Sequence, residues 1–135
     1  MNQGIFRAYD IRGKYPSDVN SKTFFEIGSA LGKYFTKNKN KKFFIGQDVR
    51  LSSPQLKKSF VKGLIEGSKG ELDIIDIGLS TTPMLNFCAN KFKAPGAIIT
   101  ASHDPKEYNG LKVIGSNAEI LSGKDVLKII KMKKR

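Results

Sequence analysis

Two hydrophobic periods alternate along this chain, and that alternation restricts its fold more than any other feature. KFFIG at 42–46, LDIIDIG at 72–78, AIIT at 97–100 and LKVIG at 111–115 are short runs of strand type. The apolar stretch from Ile5 to Tyr9 is expected to form a first strand. Between these runs lie segments of helical spacing. Phe24, Ile27, Leu31, Tyr34 and Phe35 share one face of a helix over 21–35. Leu56, Phe60, Leu64 and Ile65 do the same after Ser53, which reads as an N-cap with Pro54 at the first helical position; Gly67 and Gly70 mark the stop. Thr82 and Pro83 repeat that start for a helix through about Phe92, and Ser122 caps a last one. Strands interleaved with amphipathic helices make an α/β sheet with helices on both faces, and such sheets collect ligands at the loops beyond their strand ends.

A chain of 135 residues is the size of one ordinary domain, and 39% hydrophobic residues with 9 Phe are enough for a core. No apolar run approaches the roughly 18 residues of a membrane-spanning helix. The opening MNQGIFRAYDIRG lacks the basic-then-apolar pattern of a signal peptide, so a reducing cytoplasm is the expected setting. Cys88 is the only cysteine, which excludes an intrachain disulfide; in its apolar helical stretch it is expected to be a buried, inert thiol. The net charge of +12 admits nucleic acid, an acidic membrane surface or a phosphorylated small molecule as partner. The lysine runs at 33–42 and 128–135 read as solvated surface charge, and there is no aromatic-and-basic interleaving of the nucleic-acid kind. The arginines differ. Arg135 is terminal, but Arg7, Arg12 and Arg50 lie in loop segments with Gly and Asp, and a guanidinium is the better fork for phosphate.

Three segments that follow strands carry the chemistry: YDIRGKYP at 9–16, GQDVRLSSP at 46–54 and TASHDPKEYNGLK at 100–112. The last holds the only histidine, His103, directly after Ser102. A serine nucleophile and its histidine base must meet within about 2.6–3.2 Å. Neighbours in an extended segment project to opposite sides, no second histidine exists, and the surroundings do not read G-x-S-x-G. Two readings remain open on spacing alone: a polar strand-to-turn loop, or a serine that receives and donates a phosphoryl group with His103 assisting.

TASHDPKEYNGLKV resembles the phosphoserine loop of the α-D-phosphohexomutases, T-A-S-H-N-P followed by an Asn-Gly-hydrophobic-Lys run. FRAYDIRG at 6–13 is similar to the opening of the phosphomannomutase/phosphoglucomutase branch, and GQDVRLSSP resembles that family's Gly-x-Asp-x-Arg-x-Ser segment. The three motifs stand in the family's order and together span nearly the whole chain. The resemblance implies a single three-layer α/β/α domain with a mixed, mainly parallel sheet over 1–135, matching the first of the family's four domains. The second domain of such enzymes supplies an Asp-rich loop for Mg²⁺, the third reads the sugar and the fourth holds the substrate phosphate. No D-x-D-x-D spacing occurs in this chain; Asp73 and Asp76 are expected at structural or edge positions of a strand.

By the same resemblance Ser102 is the residue phosphorylated in the active enzyme, and its phosphate is one Mg²⁺ ligand, the others coming from outside these residues. Arg12 offers a planar fork to the phosphoryl oxygens beside a permissive Gly13, and the bland alternative is a surface pair with Asp10. His103 and Lys112 are the expected proton handlers or charge stabilisers. Tyr9 is expected to pack beneath the loop, while Asp48, Arg50 and Asn109 support it. Asp104 stands where the family has Asn. A carboxylate accepts hydrogen bonds but donates none, so its charge near the phosphoserine either weakens phosphorylation or is offset by nearby cations.

The implied reaction moves phosphate between C6 and C1 of a mannose or glucose phosphate through a bisphosphorylated sugar, with hexose 1,6-bisphosphate as activator. The 135 residues alone are expected to fold, to lack turnover without domains II–IV in cis or on a second chain, and to be prone to self-association. A phosphoglucosamine mutase is the neighbouring alternative. A remnant that lost catalysis and binds anions or nucleic acid through its +12 charge is the alternative of a different class.

Overall fold

The computed structural model describes residues 1–133; Lys134 and Arg135, the end of the basic tail, lie outside the described residues. The elements run β1 (Ile11–Lys14), α1 (Ser21–Lys37), β2 (Lys42–Gln47), α2 (Ser53–Ser68), β3 (Asp73–Leu79), α3 (Thr82–Phe92), β4 (Gly96–Ile99), β5 (Tyr108–Ile114), β6 (Ile120–Leu121) and α4 (Gly123–Lys133). The sheet order is β1-β5-β4-β2-β3, with β6 also pairing β5. β2 is parallel to β3 and β4, whereas β5 runs antiparallel to β1, β4 and β6, so β5 alone opposes the common direction.

Period-2 alternation splits the core into two layers. Phe43, Ile45, Ala97, Ile99, Leu111 and Val113 face α1, α2 and α4, and Phe24, Ile27, Leu56, Phe60, Leu64 and Val126 close that layer. Phe44, Ile98 and Ile114 face α3 and meet Leu85 and Ala89. That second cluster has only six buried residues, so one short helix covers this side and leaves the strand ends there open.

Three of the four helices, α1, α3 and α4, start where a local side chain satisfies a free amide. Asn20 and Thr23 form a reciprocal capping box at α1. Ser122 and Asp125 exchange side-chain-to-backbone hydrogen bonds of 2.9 and 3.1 Å at α4. Two starts lie one residue earlier than the sequence suggests. Ser52, not Ser53, is the N-cap of α2, because the Ser53 hydroxyl is drawn to Asp48 at 2.7 Å. Thr81, not Thr82, caps α3, its hydroxyl accepting from the Met84 amide. At the other end of α2 the helix runs past Gly67 to Ser68, and Lys69 takes the left-handed C-cap ahead of Gly70.

The first strand also differs. Gln3–Ile5 is a 3₁₀ turn, and Ile5 and Phe6 bury their side chains without joining a ladder beyond one Phe6–Ile11 bridge. The Arg7 amide then donates to the Asp10 carbonyl at 2.8 Å, reversing the chain so that the strand begins at Ile11. Cys88 is half-buried against the α3 cluster rather than sealed in it. Asp73 is exposed on the edge strand β3, and Asp76 pairs with Lys57 at 2.8 Å. The described lysines of the two basic runs are exposed or half-buried.

α1 and α2 pack with backbones in direct contact. A Cβ at Gly63 would strike the Phe25 carbonyl, and one at Gly28 would strike the Phe60 carbonyl. Gly63→Ala therefore gains up to about 1 kcal/mol of helix propensity but forces the helices apart, a cost of roughly 1–3 kcal/mol. A net loss of stability in urea unfolding is the expected result. Close packing is reinforced where the Ser29 hydroxyl donates to Glu66 and accepts from Lys133, tying α1, α2 and α4 together.

Candidate active site

The ends of β2, β3 and β4 and the start of β5 open on one side of the sheet into a cleft of about 940 Å³. Its walls come from Asp48–Leu51, Ser80–Pro83 and the segment from Thr100 through Asp104. β4 delivers that last segment. The Thr100 amide still donates to Gly110 at 3.0 Å, and the buried Thr100 hydroxyl then accepts the Ser102 amide at 3.0 Å. Ser102 itself is half-buried with φ +55°. A non-glycine residue in that left-handed region costs about 1–2 kcal/mol, and such strain persists only where the surroundings over-determine it.

Arg50 supplies most of that determination. Its Nη2 donates to the carbonyls of Ser102 (3.0 Å) and Asp104 (2.7 Å), and its Nη1 to those of Pro105 (2.7 Å) and Tyr108 (3.0 Å). Asp48 receives its Nε at 3.3 Å and also accepts the Arg50 amide and the Ser53 hydroxyl. Asn109, fully buried, donates to Ser52 Oγ at 2.8 Å and Ser53 Oγ at 3.0 Å, while its carbonyl oxygen accepts the Gly110 amide. The loop after β2 thus grips the loop after β4 at every turn, with each buried polar group matched.

Arg12 reaches the serine from the opposite side. Register sets it across from Gly110. A Cβ at Gly110 would collide with the Ile11 carbonyl, so only glycine lets β1 lie this close. The guanidinium is held at three points: Nε on buried Asp10 at 2.7 Å, Nη1 on Asp104 at 3.4 Å, and Nη2 donating to Ser102 Oγ at 3.5 Å. Burial disfavours its charge, but the hydrogen bond and charge of Asp10, with Asp104 behind them, outweigh burial and raise its pKa above the usual value. The pairing with Asp10 and the reach to Ser102 coexist in one side chain.

The remaining residues singled out by sequence are distributed as follows. Lys112 pairs with Ile98, lies on the α3 side of the sheet, is half-buried and lines the cleft, as do His103 and Lys106. His103 is exposed and makes no hydrogen bond to Ser102. Tyr9 does not pack beneath the loop: it is 75% exposed, because the turn at Arg7–Asp10 throws it outward. Among the described residues no group of three or more His, Cys, Asp or Glu is placed to hold a metal ion. Asp10 and Asp104, the carboxylates that share Arg12 with Ser102, are both engaged by its guanidinium. These residues therefore do not fit a magnesium centre by themselves. Thr100, Ser52 and Ser53 belong to the network although the sequence gives them no role at the site beyond their place within the motifs.

Residues 3–135 match the family model described as phosphoglucomutase/phosphomannomutase, alpha/beta/alpha domain I. The chain belongs to this family. A phosphomannomutase of Klebsiella pneumoniae is 39% identical over 119 residues, covering 87% of this chain and 72% of that protein. One from Escherichia coli is 40% identical over 119 residues, but the chain spans only 25% of its length. A phosphoglucomutase/phosphomannomutase family protein of Burkholderia thailandensis has a crystal structure that matches 99% of this chain and 31% of its own, with a TM-score of 0.83 and 26% identity. The mixed α/β/α fold is thus the fold of the family's domain I.

Proposed function

We propose that these residues form the phosphoryl-carrying domain of a phosphomannomutase/phosphoglucomutase, with Ser102 as the carrier. The observation that supports this best is the Ser102 hydroxyl itself, half-buried at a cleft mouth in a strained backbone state, clamped from behind by Arg50 and faced by the Arg12 guanidinium. In the forward half-reaction the bond between phosphorus and Ser102 Oγ breaks as one forms to the C1 or C6 hydroxyl oxygen of a mannose or glucose phosphate. The hydroxyl proton passes to His103 or Lys112, and Ser102 Oγ is left as an alcohol once it regains a proton. The bisphosphorylated sugar reorients and returns its other phosphoryl group to Ser102. Arg12 Nη2 stabilises charge on the transferring oxygens, since phosphoryl transfer depends chiefly on positioning and charge. Magnesium, and hexose 1,6-bisphosphate as activator, belong to the same reading, with the metal's remaining ligands outside these residues.

A protein made of these 135 residues alone has no mutase turnover on this reading. A chimaera in which they replace the matched quarter of the E. coli phosphomannomutase is the test. It is expected to interconvert mannose 1-phosphate and mannose 6-phosphate. A folded chimaera without turnover, or robust turnover by the 135 residues alone, contradicts the proposal.

A further inference from the structure

We propose that Asp104 is a positioning residue that competes with the phosphoryl group on Ser102 for the Arg12 guanidinium. The inference rests on the phosphoserine reading above and concerns how tightly that site retains its phosphate. Each of the three nitrogens of Arg12 has a partner: Asp10 holds Nε at 2.7 Å, Asp104 holds Nη1 at 3.4 Å, and Ser102 Oγ meets Nη2 at 3.5 Å. Asp10 is buried and makes the short contact, so it is the permanent anchor. Asp104 is half-buried and makes the longer contact from the tip of the loop that carries Ser102. It is therefore the partner that gives way when oxygens of a phosphoryl group arrive beside Nη1 and Nη2.

Local charge strengthens the argument. Arg12 is already outnumbered by Asp10 and Asp104 before any phosphate is added. Arg50 does not redress this, because its guanidinium is committed to four carbonyls and Asp48. Lys106, Lys112 and His103 line the cleft but make no hydrogen bond with Arg12 or with the Ser102 hydroxyl. A phosphoryl group on Ser102 thus sits beside a carboxylate that contends for the same guanidinium. Asp104 keeps the group loosely held and ready to leave, where an amide at the same position would leave Asp10 as the only carboxylate sharing Arg12 with the phosphate.

The 135-residue chain, isotopically labelled and titrated with inorganic phosphate at fixed ionic strength, tests this by NMR. The Ser102 amide and the Arg12 Nε–H are the reporters. Asp104→Asn and Asp104→Ala are both expected to bind phosphate about three- to tenfold more tightly than the parent, the effect of removing one charge a few ångströms from a dianion in screened solvent. Glu71→Gln, an equal charge change on an exposed residue elsewhere, is expected to leave the affinity unchanged. Equal affinity in the parent and both Asp104 variants, with the reporters responding, overturns the competition while leaving the phosphoserine reading intact. Phosphate that perturbs neither reporter in any variant overturns both.

Discussion

Ser102→Ala in the chimaera is expected to lower turnover at least about 10³-fold, the scale seen when a covalent carrier is removed from a group-transfer site. Stability should move little, since alanine tolerates the left-handed region no better than serine and the hydroxyl's one contact to Arg12 is long, at 3.5 Å. Ser102→Gly separates the two roles of the position more sharply. Glycine adopts φ +55° without penalty, so this variant should be as inactive as alanine yet up to about 1 kcal/mol more stable. Chemical denaturation beside a turnover assay reads both quantities. A site that loses function as it gains stability is one where the backbone has been held in a costly shape for the sake of its side chain. Glycine that destabilises the fold would show instead that Ser102 is there for packing.

Arg50→Ala carries the second large effect, and it falls on both stability and turnover. The side chain is 12% exposed, and its removal takes a donor from four carbonyls and from the Asp48 carboxylate, which keeps only the residue-50 amide and the Ser53 hydroxyl. Losing one partner of a largely buried charged network costs about 3–5 kcal/mol, and the lower end applies because the loop can admit water. Arg50→Lys should rescue little of this, since a single ammonium cannot span carbonyls on both sides of the loop. Thermal or urea unfolding of both variants gives the comparison. The phosphate-induced shift of the Ser102 amide should be lost in the same variants, because the φ +55° conformation no longer has its clamp.

How much of this was legible in the sequence depended on whether the cause was periodic or local. Strands β2 to β5 and helices α1 and α2 are legible through spacing, because each buries a face against a layer, whereas α3 and α4 are legible only through their start residues. The first strand did not, since Ile5 and Phe6 reach the core from a turn and a bridge, so their apolarity carries no ladder. The helix starts at Ser52 and Thr81 were misread by one residue at Ser-Ser and Thr-Thr doublets, where only tertiary demand chooses the cap. The two-residue β6 is too short to leave a pattern. At the site, the motifs marked Ser102, Arg12, Arg50 and Asn109 as residues of interest. Sequence could not show that Arg50 binds carbonyls, because backbone acceptors have no residue identity. It placed Tyr9 wrongly for a related reason: an aromatic ring beside a motif looks packed, and only the turn at Arg7–Asp10 shows that it is not.

The central claim is that one hydroxyl carries the phosphoryl group, and intact-mass measurement of the chimaera after incubation with hexose 1,6-bisphosphate tests it most directly. The expected result is a single phosphate-sized increment that peptide mapping assigns to Ser102 and that Ser102→Ala abolishes. An increment that survives in Ser102→Ala, or that maps to another residue, would contradict the account.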